Sequence, residues 1–221
     1  MSSRSTLGFA STPTDSVPAQ TGDDVTAPAV GVDLGVKRLL VAAPATDEPD
    51  VPNALVVEGG VERELYDSLG DTLTRFDQLA ETTEAEAQAV QACRSMLHQR
   101  FDLGAERLLE YLNRVDADLV ALEDTTYDCR SLAECARGRT KVGSWLLPTF
   151  RDYLENRLAA GGYQVERVDA AYTTQRCHVC GELTDVGNAT ISCETGSCPV
   201  DAVCRDRSAA ATIAQRGVNQ L

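Results

Sequence analysis

Two sets of residues in this chain have the types and spacing to do chemistry. The first is cysteine. Four of the eight cysteines form two pairs, Cys177-x2-Cys180 and Cys193-x4-Cys198. Thiolates paired at two- to four-residue spacing suit a tetrahedral Zn2+ ion, and a site closed by four of them has no position left for a substrate. Gly181 follows Cys180, and a small residue there lets backbone N–H groups turn toward the thiolates. The twelve residues between the pairs include Thr184, Gly187, Asn188 and Thr190, which is hairpin chemistry. A module this small has almost no core, so zinc would supply its folding energy, on the order of 10 kcal/mol. The competing use is as small hydrophobes or a single disulfide. Cys204 lies six positions past Cys198 and is an alternative ligand, whereas His178, between the first two cysteines, is expected to be exposed and not to ligate. Cys93, Cys129 and Cys135 are scattered.

The second set is acidic. Asp33 ends a first apolar run, Glu123 ends a later one, and Asp206 opens a final helical segment. Carboxylates converging from three elements could hold Mg2+ or Mn2+ ions that activate water and stabilise the leaving oxygen of a phosphodiester. Each acid alone is more often a turn or cap residue, so the context must carry the assignment. Asp124 is a reserve candidate, because strand alternation turns it to the face opposite Glu123.

The elements that would position these residues can be read from patterning. The run AVGVDLGVKRLLVAAP from Ala29 predicts two strands joined by a tight turn at Leu34-Gly35, and NALVVEGG a third. A helical stretch follows from about Val61 to Arg114, with Leu97, Phe101, Leu108, Tyr111 and Leu112 as its apolar stripe. Thr83 and Glu86 predict a capping box and hence a break near Leu79 to Thr82. DADLVALEDTTY reads as a buried strand of the parallel type, Trp145 to Ala160 as a helix closed by Gly161-Gly162, YQVERVD as another strand, and RDRSAAATIAQRG as a small-residue helix. This order predicts an α/β fold of the RNase H type, a mixed five-stranded sheet with helices on both faces and an inserted zinc ribbon. The strands bearing Asp33 and Glu123 would be central neighbours, and Ala209, Ala210 and Ala211 would let the last helix approach closely enough to add Asp206.

Composition narrows the setting. Acids outnumber bases 34 to 20, for a net charge of −14, and only Lys37 and Lys141 are lysines. An acid-rich, lysine-poor chain suits a salt-in halophile, where self-repulsion is screened over about 3 Å at 1 M salt. An ordinary acidic protein that avoids nucleic acid is the alternative. No apolar run is long enough to span a membrane. The N-terminus is rich in Ser, Thr, Pro and Asp without a secretory h-region, which predicts a disordered leader on a cytoplasmic protein with reduced thiols.

GVDLGVKRL, LVALEDTTY, the Trp145 helix, YTTQRCHVCG and CRDRSAAATIA follow in order the C-terminal half of TnpB (OrfB) proteins, and the chain resembles that family over about residues 29 to 217. These are insertion-sequence-encoded RNA-guided endonucleases, often described as transposases and related to type V CRISPR effectors. The resemblance implies a RuvC-like nuclease with Asp33, Glu123 and Asp206 as its three acids, and a zinc ribbon between the last two. The expected division of the chain is a disordered leader at 1–28, a nuclease core at 29–171 with a helical insert at about 61–114, a ribbon at 172–203, and a closing helix at 204–221. DNA, with a guide RNA or an RNA–DNA duplex, would be the partner.

Three departures accompany the resemblance. The family's N-terminal recognition half has no counterpart here, so a partner protein would have to supply recognition. The family's Asp-Arg-Asp-x-Asn-Ala-Ala ending reads Cys204-Arg205-Asp206-Arg207-Ser208-Ala209-Ala210. The insert, basic in the family, carries Glu62, Glu64, Asp67, Asp71, Asp77, Glu81, Glu84 and Glu86. Arg137, Arg139 and Lys141 could contact phosphates or form a solvated basic loop. The functional expectation is a metal-dependent endonuclease. Its alternatives are a degenerate or domesticated nucleic-acid-binding regulator and a zinc-stabilised protein-interaction module.

Overall fold

The computed structural model describes residues 28–79, 82–124, 131–187 and 189–220. The expected leader, but for Pro28, and Cys129, Glu81 and Asn188 lie outside the described residues.

Three strands open the fold: β1 (Val30–Leu34), β2 (Arg38–Pro44) and β3 (Leu55–Glu58). Helices α1 (Val61–Phe76) and α2 (Thr83–Val115) follow, then β4 (Leu119–Asp124), α3 (Leu132–Arg137), α4 (Gly143–Ala160) and β5 (Gln164–Asp169). The cysteine module contributes β6 (Asp185–Val186), β7 (Thr190–Ser192) and β8 (Val203–Cys204), and α5 (Arg205–Val218) closes the chain.

The main sheet has the order β3-β2-β1-β4-β5. The first three strands form an antiparallel meander, while β1–β4 and β4–β5 are parallel. This is the mixed five-stranded RNase H topology that the sequence predicts.

Alternation along β1 splits its residues between two layers. Val30, Val32 and Leu34 join Leu122, Phe101, Leu108, Phe150 and Leu154 in the large core under the helices on one face. Gly31 lies on the other face, where a Cβ would stand 2.1 Å from the carbonyl oxygen of Ala210 and 2.3 Å from the amide nitrogen of Ala214. Only a glycine lets α5 lie this close to the sheet, and the Ala209-Ala210-Ala211 run completes that contact. Val41 and Ala43 pack on Ala210 and Ala211, and Ala121 and Val168 pack on Ile213.

Local expectations needed three corrections. The break between α1 and α2 is present, but Thr82 is the N-cap and no side chain caps α2. The Glu86 carboxylate is taken instead by Arg137, at 2.9 Å. The stretch bearing the basic residues is partly helical: Ser131 accepts from the Glu134 amide and caps α3. Ser131-x-x-Glu134 is itself a capping-box spacing, the signal that would have revealed α3. Glu62, counted with the acidic surface of the insert, is fully buried and bonded to Arg100 Nε at 2.8 Å.

Candidate active site and metal centre

The parallel register that sets Gly31 opposite Ala121 and Val32 opposite Leu122 carries Asp33 and Glu123 to the same level of adjacent strands. Two-residue alternation puts both on the α5 face, with Gly31 and Ala121. Asp206 stands in the first turn of α5. Asp33 is 8 % exposed and Glu123 6 %. Burial first, then the charges of Glu123 and Asp206, push the Asp33 carboxyl well above the usual carboxylate range, while Arg205 and Arg38 pull the other way. Burial also raises Glu123, opposed by a hydrogen bond from the Thr173 hydroxyl and by Arg216. Three acids that sequence alone placed on separate elements are thus electrostatic neighbours.

The reserve candidate turns away, as alternation predicts. The Asp124 carboxylate accepts from Arg151 Nη1 of α4 at 3.0 Å, on the helical side of the sheet.

Asp206 has cationic partners on both carboxylate oxygens. Arg38 Nη1 donates to Oδ2 at 2.7 Å, and Arg205 donates to Oδ1 through Nε and Nη2 at 3.1 Å each. Asp33, Asp206, Lys37, Arg38, Thr174 and Arg205 line a cleft of about 230 Å³. Carboxylate oxygens suit Mg2+ or Mn2+, and the repulsion of Asp33 by Glu123 and Asp206 is what a divalent ion would relieve.

Arg137 and Arg139, expected either to contact phosphates or to form a solvated basic loop, pair instead with acids of the insert. Arg137 pairs with Asp77 at 3.2 Å as well as with Glu86, and Arg139 pairs with Asp71 at 3.0 Å. They pin α3 to the acidic insert, whose charge is therefore partly spent inside the molecule. Lys141 is exposed.

The four paired cysteines do converge. The sulfurs of Cys177, Cys180, Cys193 and Cys198 all lie within 4.8 Å of one another, the group of metal-ligand type found among the described residues. Cys177 and Cys198 are 3.6 Å apart and Cys180 and Cys193 3.5 Å. A tetrahedral ion with metal–sulfur bonds of about 2.3 Å needs sulfur–sulfur edges of about 3.8 Å, so the group fits. Gly181 adopts φ 74° and donates its N–H to the Cys177 carbonyl at 2.8 Å, which shapes the knuckle. Burial pushes the Cys177 thiol up to about 12, so its thiolate form needs a cation beside it.

Two expectations about this module change. Cys204 is not in the group; its sulfur faces Arg38 Nη1 at 3.4 Å. His178 is not exposed but 1 % accessible, with Nδ1 against the Ser208 hydroxyl and Nε2 against the Glu48 carbonyl, both at 2.9 Å. Two α5 residues cover it: Ser208 on the ring and Gln215, which donates to the His178 carbonyl at 2.7 Å. Sequence reading also missed Arg38, Thr173 and Ser208. For Arg38 and Thr173 the partners lie far away in the chain and leave no local signal. Ser208, which stands where the TnpB pattern that the chain resembles has Asn, offered one.

An RNase H-like sheet with a three-acid cluster at its centre and a four-cysteine module before the last helix is the class that this geometry defines. Residues 148–213 match the model of the Cas12f1-like TNB domain. The fold is similar to a Cas12f1 chain solved by cryo-EM with sgRNA and target DNA, at TM-score 0.60 and 15 % identity, covering 85 % of this chain and 49 % of that one. A CRISPR-Cas12f ternary complex aligns at TM-score 0.60 and 15 % identity, over 86 % of this chain and 38 % of its own. The Thermus thermophilus RuvC structure aligns at TM-score 0.38 and 15 % identity. The chain therefore spans half or less of the Cas12f chains it matches. No curated protein matches it.

Proposed function

We propose that the chain is a TnpB-like, transposon-associated nuclease module that hydrolyses DNA phosphodiester bonds at Asp33, Glu123 and Asp206. The observation that carries this reading is the juxtaposition of the three buried or half-buried acids on β1, β4 and α5. The matched TNB region and the Cas12f fold support it. In this reading Asp33, Glu123 and Asp206 hold Mg2+ or Mn2+, and the four cysteines hold a structural Zn2+. The divalent ions would supply water activation and charge stabilisation at the phosphate.

The protein's own residues set the geometry. Thr173 orients Glu123 by its hydroxyl, Gly31 and the alanines of α5 fix the distance from sheet to helix, and Lys37 stands at the rim of the cleft, where phosphates would enter. Nucleic acid is the partner, by analogy with the sgRNA and target DNA of the Cas12f1 complex. No described helix is long and apolar enough to cross a membrane, and the acidic surface fits work in the cytoplasm of a high-salt cell.

The test is cleavage of end-labelled single-stranded DNA, duplex DNA and RNA–DNA duplex by the zinc-loaded chain, with Mg2+ or Mn2+ in molar KCl. Cleavage that Asp33→Ala abolishes supports the reading. Cleavage unchanged in Asp33→Ala contradicts it, and affinity for nucleic acid without turnover would indicate a binding protein built on the same fold.

A further inference from the structure

Arg38 has two carboxylates within reach. Its Nη1 donates to Asp206 Oδ2 at 2.7 Å, and its Nε lies 3.9 Å from the exposed Glu58 across the β2–β3 ladder. It begins β2, one residue past Lys37 in the turn that leaves Asp33, so it stands at the mouth of the acid cluster. The contact to Asp206 spans 168 positions of sequence and is made by a half-exposed side chain, unlike the local grip of Arg205 on the neighbouring residue.

A metal ion held by Asp206 would compete with this arrangement. Mg2+ takes carboxylate oxygens at about 2.0–2.1 Å, and its charge would repel a guanidinium that sits 2.7 Å from the same Asp206 oxygen. That repulsion weakens the hold of Asp206 on the Arg38 guanidinium when Oδ2 becomes a metal ligand. Glu58 is a weaker, solvent-screened partner for it, and a phosphate can take the guanidinium fork through two oxygens as a carboxylate does.

We propose that Arg38 is a displaceable counter-ion of Asp206, released by divalent-ion entry to bind a phosphodiester of nucleic acid in the adjoining cleft. The proposal rests on the reading of Asp33, Glu123 and Asp206 as a divalent-ion site. Arg38 is then a positioning residue that makes phosphate binding conditional on metal loading. In the bare site Arg38 neutralises Asp206 and stands at the mouth of the cleft.

The test uses the zinc-loaded full chain, its Arg38→Gln variant and its Arg38→Lys variant. Mn2+ affinity is measured by calorimetry, and affinity for a fluorescent single-stranded oligonucleotide is measured by anisotropy with and without Ca2+. Arg38→Gln is expected to bind Mn2+ about tenfold more tightly, and to lose the several-fold gain in oligonucleotide affinity that Ca2+ gives wild type. Arg38→Lys should retain that gain. Opposite changes in the two affinities separate this role from a structural one, since a loosened fold weakens both. Wild-type Mn2+ binding that is equalled in Arg38→Gln, or a Ca2+ gain that survives there, overturns the proposal alone. No Mn2+ binding by wild type or variant overturns it together with the site reading.

Discussion

The imidazole of His178 and the hydroxyl of Ser208 share a buried 2.9 Å hydrogen bond that joins the cysteine module to α5. Ser208 stands two residues past Asp206, and His178 lies between Cys177 and Cys180. The Gln215 side chain strengthens the joint, donating to the His178 carbonyl at 2.7 Å and to the Thr46 carbonyl at 3.0 Å. The cysteine module thus braces the helix that carries the third acid.

Replacing His178 by Ala leaves the Glu48 carbonyl and Ser208 without their partner in a buried site. A loss of about 1–3 kcal/mol is expected in urea denaturation of the metal-loaded chain. Ser208→Ala in the same background should cost less than it does alone, because the shared bond is already gone. Additive losses would show that the two residues act separately.

Gly31→Ala forces a methyl group into the backbone of α5 at Ala210 and Ala214. The helix must move off the sheet, at a cost of about 1–3 kcal/mol or more. Asp206 moves with it, so affinity for Mn2+ should fall along with the melting temperature. Unchanged Mn2+ affinity would mean that helix–sheet contact does not set the acid cluster.

The raised Asp33 carboxyl fixes a pH dependence. Its pKa in the folded chain lies above that in the unfolded chain, so between the two values the folded state binds more protons and stability falls as pH rises. Its stabilising contribution is present at acid pH and lost on passing through the folded pKa. Asp33→Asn removes the buried charge and should raise the melting temperature of divalent-free protein at neutral pH, by an effect that shrinks toward pH 4. A variant no more stable than wild type at neutral pH would contradict this electrostatic account.

If the four cysteines hold Zn2+ as proposed, its removal should unfold the module before the sheet. A strong chelator is expected to release one Zn2+ per chain in a colorimetric assay, and Cys180→Ser to hold it more weakly. Release of no zinc from protein purified under reducing conditions would refute the assignment of that ion.

Much of this was legible because it rests on local pattern. β-branched runs around Asp33 and Glu123 announced the strands, and the cysteine spacing announced the four-sulfur group. The alanines of α5 announced a close helix–sheet approach, whereas the part of Gly31 appears only once the helix lies on it. What could not be read depends on pairing across the fold. Arg137 and Arg139 looked like a basic loop until Asp71, Asp77 and Glu86 met them. Glu62 looked like surface charge until Arg100 enclosed it, and His178 looked exposed until α5 covered it. A salt bridge such as Arg38–Asp206 leaves no periodic trace in sequence.

The most direct test of the acid cluster is calorimetric Mn2+ binding at molar KCl by wild type and by Asp33→Ala, Glu123→Ala and Asp206→Ala, each checked for retained zinc and a cooperative melt. The account predicts binding by wild type and its loss or severe weakening in all three variants. Folded wild-type protein that binds no Mn2+, or single variants that bind it as wild type does, would contradict it.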